Sequence, residues 1–143
     1  MSPSPASSVV HVPVPRESVA ETAAVWLPFV QRIAARTRCG VAQHCAEIES
    51  GQVQLHLAWA PDEQRALALA ATNMEVRGGD KIAVLVWCTG SMRELWLPLL
   101  DDIERYVRQH LGCAGIKAYA RPGWSKILKQ RGYRLTHVVM EKD

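Results

Sequence analysis

Six consecutive uncharged residues, Ile82, Ala83, Val84, Leu85, Val86 and Trp87, lead through a glycine-containing segment into a helical repeat. This run from Lys81 to Leu111 limits the folds open to the chain more than any other feature. A strand with no polar face must be covered on both sides, so it belongs in the middle of a sheet. Thr89, Gly90 and Ser91 read as the turn that ends it. Beyond Arg93, Trp96, Leu99, Leu100, Ile103 and Val107 recur at three- and four-residue steps, while Glu94, Asp101, Asp102, Arg105 and Arg108 fall mostly elsewhere, as in an amphipathic helix. Pro98 leaves two readings of its start: a helix from about Leu97, or a bend over Trp96–Pro98 before it. Backbone N–H groups at a turn of this kind suit an anion, which makes Thr89, Gly90, Ser91, Met92 and Arg93 the first candidate ligand-binding segment.

A chain of 143 residues is long enough for one domain with a real core and short for two. No run of about 18 apolar residues exists, so a membrane span is not expected, and no signal-peptide pattern is read at the start. The default expectation is a cytoplasmic protein, in a host cell or on a virion if the source is viral. A net charge of +3 is too small to hold a protein on nucleic acid by itself. Nucleic-acid binding would need Arg121, Lys126, Lys129, Arg131 and Arg134 to gather on one surface. Cys39, Cys45, Cys88 and Cys113 form no CxxC pair, and Cys39, His44 and Cys45 lack the paired spacing of a structural zinc site, so four reduced cysteines and no metal are expected.

Met1–Arg16, with Pro3, Pro5, Pro13 and Pro15, reads as an extended or disordered tail, although Val9–Val14 has the composition to lie along a sheet edge or a partner subunit. A single domain over residues 17–143 follows. Ser18 and Glu21 offer a capping box for a helix whose stripe is Val19, Ala23, Trp26, Leu27, Val30 and Ile33, with Pro28 implying a kink or two shorter helices and Gly40 a stop. Cys45–Ser50 is a short helix or a lead-in. Val53, Leu55, Leu57 and Trp59 alternate with Gln52, Gln54, His56 and Ala58, a strand with one wetter face. Arg65–Met74 is a second strand, and Gly78, Gly79 and Asp80 turn the chain into the central one, so these three are antiparallel. Gly112 stops the long helix. Gly115–Ala120 is then a strand parallel to the central one, Pro122 opens a short helix that ends at Gly132, and Tyr133–Glu141 is a terminal strand.

This order, together with the closing segment AYARPGWSKILKQRGYRLTHVVMEK, resembles the GCN5-related N-acetyltransferase (GNAT) superfamily. In particular it is similar to the small GNAT-like proteins of tailed bacteriophages, in which an Arg, Gly, Trp segment precedes a Gly-Tyr pair and a terminal strand. The resemblance implies an α/β (α+β) fold with a mixed, mostly antiparallel sheet flanked by helices. It implies an acetyl-coenzyme A site in the opening between the fourth and fifth strands, with the pyrophosphate held by Thr89–Arg93. Gly90 matches the first glycine of the family's phosphate loop. Trp87 stands where the family has Arg or Gln, and Met92 where it has a small residue. The family's tyrosine, four residues before the final glycine, corresponds to Leu128. Tyr119, Tyr133 and Cys88 are the alternative proton donors, and Glu75, Asp80 and His56 the candidate bases.

The five tryptophans, Trp26, Trp59, Trp87, Trp96 and Trp124, fall on expected apolar faces or junctions and read as packing rather than a base-stacking platform. The leading expectation is a phage-type GNAT-like protein that acts by binding a protein partner in virion assembly or host interaction, with a homodimer as one candidate assembly. The alternative is an acyl-coenzyme A dependent N-acetyltransferase acting on an amine, and a third class is a small nucleic-acid binder.

Overall fold

The computed structural model describes residues 8–91, 93–120 and 122–142. Its elements, in order, are β1 (Val10–Pro13), α1 (Ala23–Ala34), α2 (Val41–Glu49), β2 (Gln54–Ala60), β3 (Arg65–Arg77), β4 (Asp80–Gly90), α3 (Arg93–Trp96), α4 (Leu99–Gln109), β5 (Gly115–Ala118) and α5 (Ser125–Gln130). The strands form one sheet in sequence order, antiparallel from β1 to β4 and parallel between β4 and β5. The mixed, mostly antiparallel sheet flanked by helices is thus observed.

Helices cover both faces. Trp26, Phe29, Val30 and Ile33 of α1 and Ile48 of α2 pack on Leu55, Leu57, Leu69 and Ala71. On the other face Trp96, Leu99, Leu100, Ile103 and Val107 pack on Ala58, Ala60, Ala68, Ala70, Ala83 and Leu85. The alanines explain why the segment at Arg65–Met74 is a strand despite its propensity: methyl side chains leave room for a bulky helix face directly over the sheet. The expected wetter face of β2 is absent, because His56 and Ala58 lie fully buried under α4.

Several boundaries differ from the sequence reading. The Pro-rich start is not all tail, since Val10–Pro13 pairs with Trp59–His56 as the sheet's edge strand, where missing proline N–H groups cost least. The domain therefore begins before residue 17, while Met1–Ser7 lie outside the described residues. The Ser18 capping box does not form. Arg16–Ser18 is a 3-10 turn, Thr22 Oγ1 donates to the Ser18 carbonyl at 2.7 Å, and α1 runs unbroken through Pro28. Pro98 ends a bend between two helices, α3 and α4. No strand forms over Tyr133–Glu141, whose residues beyond Tyr133 are exposed.

Candidate functional site

β4 is built differently along its two edges. Toward β3 its ladder runs its full length, from Arg77 opposite Asp80 to Ala68 opposite Gly90. Toward β5 pairing covers only Ile82–Leu85, matched with Gly115–Ala118. The change comes at a β-bulge: Ala71 faces Trp87 and Thr72 faces Leu85, which leaves Val86 as an extra residue in β4. A bulge bends its strand and turns successive side chains to one side. Val86 and Trp87 accordingly both pack on the α1 face, and β4 parts from β5 immediately afterwards.

The parting opens a cleft of about 430 Å³ that reaches both faces of the sheet. One wall is β4 from Leu85 to Gly90 and the other is Ala118, Tyr119 and Ala120. Ile33, Arg36 and Thr37 border it on the α1 side, and Trp96, Leu100, Trp124 and Leu128 on the α4 side. Two arginines, Arg36 and Arg93, line it, and no carboxylate does among the described residues. Arg93 stacks on Trp124, its guanidinium carbon 5.7 Å from the ring centroid, which explains this tryptophan's place at the head of α5. A cleft of this charge favours an anionic ligand.

The proposed ligand-binding segment is redistributed. Thr89, Gly90 and Arg93 line the cleft, but Thr89 and Gly90 are the last residues of β4 rather than a turn. The Ser91 N–H is donated to the Leu67 carbonyl at 3.0 Å, so β3 holds that amide. Met92 lies outside the described residues, as does Arg121.

The candidate bases fall away from the cleft. Glu75 sits at the other end of the sheet, its Oε1 2.8 Å from Lys117 Nζ, and this partner holds its carboxyl below the usual range. Asp80 is exposed at the start of β4. His56 is buried beneath α4, where its Nδ1 shares a 2.9 Å hydrogen bond with His11 Nε2 and its Nε2 one of 2.9 Å with Thr72 Oγ1. Burial, reinforced by His11, pushes its pKa down to about 3. Of the candidate donors, Tyr119 and Cys88 border the cleft. Cys88 is a poor one, since burial pushes its thiol up to about 12. Tyr133 packs against the α4 core with its hydroxyl buried and unbonded. Leu128 is a buried wall residue, with no proton to give.

One polar pair escaped the sequence reading. Thr37, on the cleft border, has its Oγ1 3.1 Å from Nε2 of His44, which lies buried near the start of α2 with its ring edge-on to Trp87 at 4.7 Å. The Thr37 hydroxyl donates to the Cys39 carbonyl at 3.2 Å. It therefore accepts from the His44 Nε2–H, and His44 Nδ1 keeps a buried, unbonded lone pair. The sequence had placed His44 only in a metal constellation. Among the described residues no group of three or more His, Cys, Asp or Glu is arranged to hold a metal ion, and no helix is long and apolar enough to cross a membrane. Of the basic residues at the C-terminal end, Arg131 is paired with Asp101.

No family model matches the chain, and no curated protein does. Solved structures do. An acetyltransferase of Trypanosoma brucei superposes with a TM-score of 0.67 at 11% identity, over 95% of this chain and 99% of that one. Glucosamine-6-phosphate N-acetyltransferase from Arabidopsis thaliana gives 0.67 at 9% identity, over 95% and 98%. An integron cassette protein of Vibrio cholerae gives 0.64 at 12% identity, over 95% and 94%. At such identities the likeness is one of fold, and the fold is GNAT-like.

Proposed function

We propose that this chain is an acyl-coenzyme A dependent N-acetyltransferase. The observation that carries the reading is the parting of β4 from β5 at the Val86 bulge, which opens a cleft through the sheet without a carboxylate among its described lining residues. The freed edge of β4 offers main-chain groups to an extended amide-bearing arm. Arg93, braced on Trp124, meets a phosphate group at the α3 side. When bound, acetyl-coenzyme A supplies an activated acyl thioester. N–H groups of β4 beyond the bulge polarise its carbonyl oxygen, and the walls hold the reacting atoms together, which by itself carries much of an aminolysis. The amine enters on the α1 side, past Arg36. There the Thr37 hydroxyl, held by the His44 Nε2–H and the Cys39 carbonyl, accepts a hydrogen bond from the attacking amine and orients it. The proton that the nitrogen loses goes through solvent to the departing thiolate, giving an amide and a free thiol. Cys88 stays a thiol, so transfer is direct rather than through an acylated cysteine.

Leu128 favours a second reading, in which the same fold serves a phage or host protein by binding alone, because the family's tyrosine position carries no hydroxyl. Calorimetric titration with acetyl-coenzyme A separates the two. Micromolar binding that is weakened at least tenfold in Arg93→Glu, with an unchanged circular dichroism spectrum, supports the enzyme. Absence of both heat and thermal shift at millimolar cofactor sinks it.

A further inference from the structure

The end of α1 presents a basic surface to the cleft. From Thr22 to Ala46 the chain carries Arg32, Arg36 and Arg38 and neither Asp nor Glu. Backbone bonds fix the turn that follows the helix: the Arg36 N–H is donated to the Ile33 carbonyl at 3.0 Å and the Thr37 N–H to the Ala34 carbonyl at 3.4 Å. Two of the three arginines are engaged. Arg32 lies over the Phe29 ring, 5.2 Å from its centroid, and Arg38 meets Glu141, with Nη2 3.8 Å from Oε2. Arg36 is exposed and lines the cleft, and its guanidinium makes no hydrogen bond, ion pair or ring contact among the described residues. Arg93, the other arginine of the cleft, lies on the α3 side against Trp124, where the acyl-transfer reading gives it to a cofactor phosphate. The acceptor side thus keeps an uncommitted cation beside Thr37.

We infer that the acceptor is a compact amine bearing an anionic group, a carboxylate or a phosphate, which Arg36 holds while Thr37 orients the nitrogen. The inference rests on the acyl-transfer reading and names its substrate class. Consecutive Cα atoms lie about 3.8 Å apart, so the two side chains address two ends of one small molecule, with only a few bonds between its anion and its nitrogen. A guanidinium binds carboxylate and phosphate alike through paired N–H donors. The same charge selects against other amines. A polyamine brings further cations up to Arg36, and no carboxylate among the described lining residues offsets them. The reaction is balanced within the proposal. The neutral amine nitrogen bonds to the acyl carbon as the carbon–sulfur bond breaks, its proton passes through solvent to the thiolate, and the N-acylated anion and a free thiol leave.

The test titrates the full chain with acetyl-coenzyme A by calorimetry, then follows thiol release with matched amines: amino acids beside their carboxamides, O-phosphoethanolamine beside ethanolamine, and spermidine. An anionic member is expected to exceed its counterpart without the anion roughly tenfold or more in kcat/KM, the range of one charge-assisted pair, and spermidine to be poorer still. Whichever pair shows the preference tells carboxylate from phosphate. Arg36→Gln should erase that preference, mainly through KM, with acetyl-coenzyme A affinity unchanged, and Arg36→Lys should restore part of it. Arg36 is exposed, so both variants leave the core intact. Amines without an anion that match the anionic members overturn the assignment while the acyl-transfer reading stands. So does a preference that survives Arg36→Gln, a loss of cofactor affinity in that variant, or silence of every amine on a chain that binds the cofactor. Absence of cofactor binding, read before any amine is added, removes the acyl-transfer reading and this inference with it.

Discussion

Gly90 approaches Ala68 so closely that a Cβ added to it would stand 2.6 Å from the Ala68 Cβ and 2.6 Å from the Leu67 carbonyl oxygen. The glycine is demanded by the β3–β4 contact and not by the cleft. Beside it the Ser91 N–H closes on the same Leu67 carbonyl, so the end of β4 is locked to β3 where it has left β5. The residue that most resembles a phosphate-loop glycine is thus first a packing residue.

Gly90→Ala is accordingly expected to destabilise the fold by about 1–3 kcal/mol, the usual cost of forcing a methyl group into filled space, here against backbone that cannot swing aside. Gly123→Ala, whose added carbon meets nothing within 4 Å, should stay within about 0.5 kcal/mol of the parent. Urea unfolding of both variants measures this. Equal midpoints for the two would refute the packing argument.

His56 gives stability a pH dependence. It is held neutral in the fold down to about pH 3, whereas the unfolded side chain takes up a proton near its ordinary 6.5. Between those values the unfolded state binds more protons, so stability from this group is fully present above pH 6.5 and falls as pH drops, by at most about 1.4 kcal/mol per pH unit. Burial shifts His11 in the same direction. The urea midpoint should therefore decline from pH 7 to pH 4.5, and His56→Gln should flatten the decline. An unchanged slope in the variant would remove His56 as its source.

Much of this architecture was legible because burial writes itself in composition. The run Ile82–Trp87 announces a covered strand, and Trp96, Leu99, Leu100, Ile103 and Val107 are all buried at the spacing that predicted them. The bulge left no trace, since one extra valine inside an apolar run does not break any pattern. Thr89 and Gly90 carry turn chemistry, yet β3 claims them as strand through contacts some twenty residues away in sequence. Val9–Val14 was read as either tail or sheet edge because its prolines suit both, and pairing with β2 makes it the edge. The Thr37–His44 pair joins the loop after α1 to α2 across Gly40, and periodicity is blind to such a contact. The Tyr133–Glu141 strand was read from an alternating pattern, yet the residues beyond Tyr133 are exposed and enter no strand.

The thiols should divide in two when the native protein meets a water-soluble disulfide reagent at neutral pH. Cys113 is buried, and Cys88, half-buried on the cleft wall, is kept as a thiol at neutral pH because desolvation pushes its pKa up to about 12. Cys39 and Cys45 are partly exposed and react in the folded chain, Cys45 more slowly than a free thiol because burial and Glu49 raise its pKa. Denaturant should release the remaining two. Rapid reaction of all four in the native protein would contradict the burial of Cys113 and the raised pKa of Cys88.

The Thr37–His44 pair yields the sharpest functional test, since neither residue reaches the Arg93 side of the cleft. Thr37→Val keeps the side chain's shape and removes the hydroxyl that joins the cleft to the buried imidazole. With an amine found by screening against acetyl-coenzyme A, turnover should fall roughly 10²-fold, the range of a misplaced nucleophile, while cofactor affinity by calorimetry stays unchanged. His44→Gln, whose amide N–H can still donate to the Thr37 hydroxyl, should keep most of the turnover. Thr37→Ser restores the hydroxyl and should restore the rate. A Thr37→Val enzyme with parental turnover would assign the pair to packing beneath Trp87 and leave the amine to be oriented by the other cleft walls.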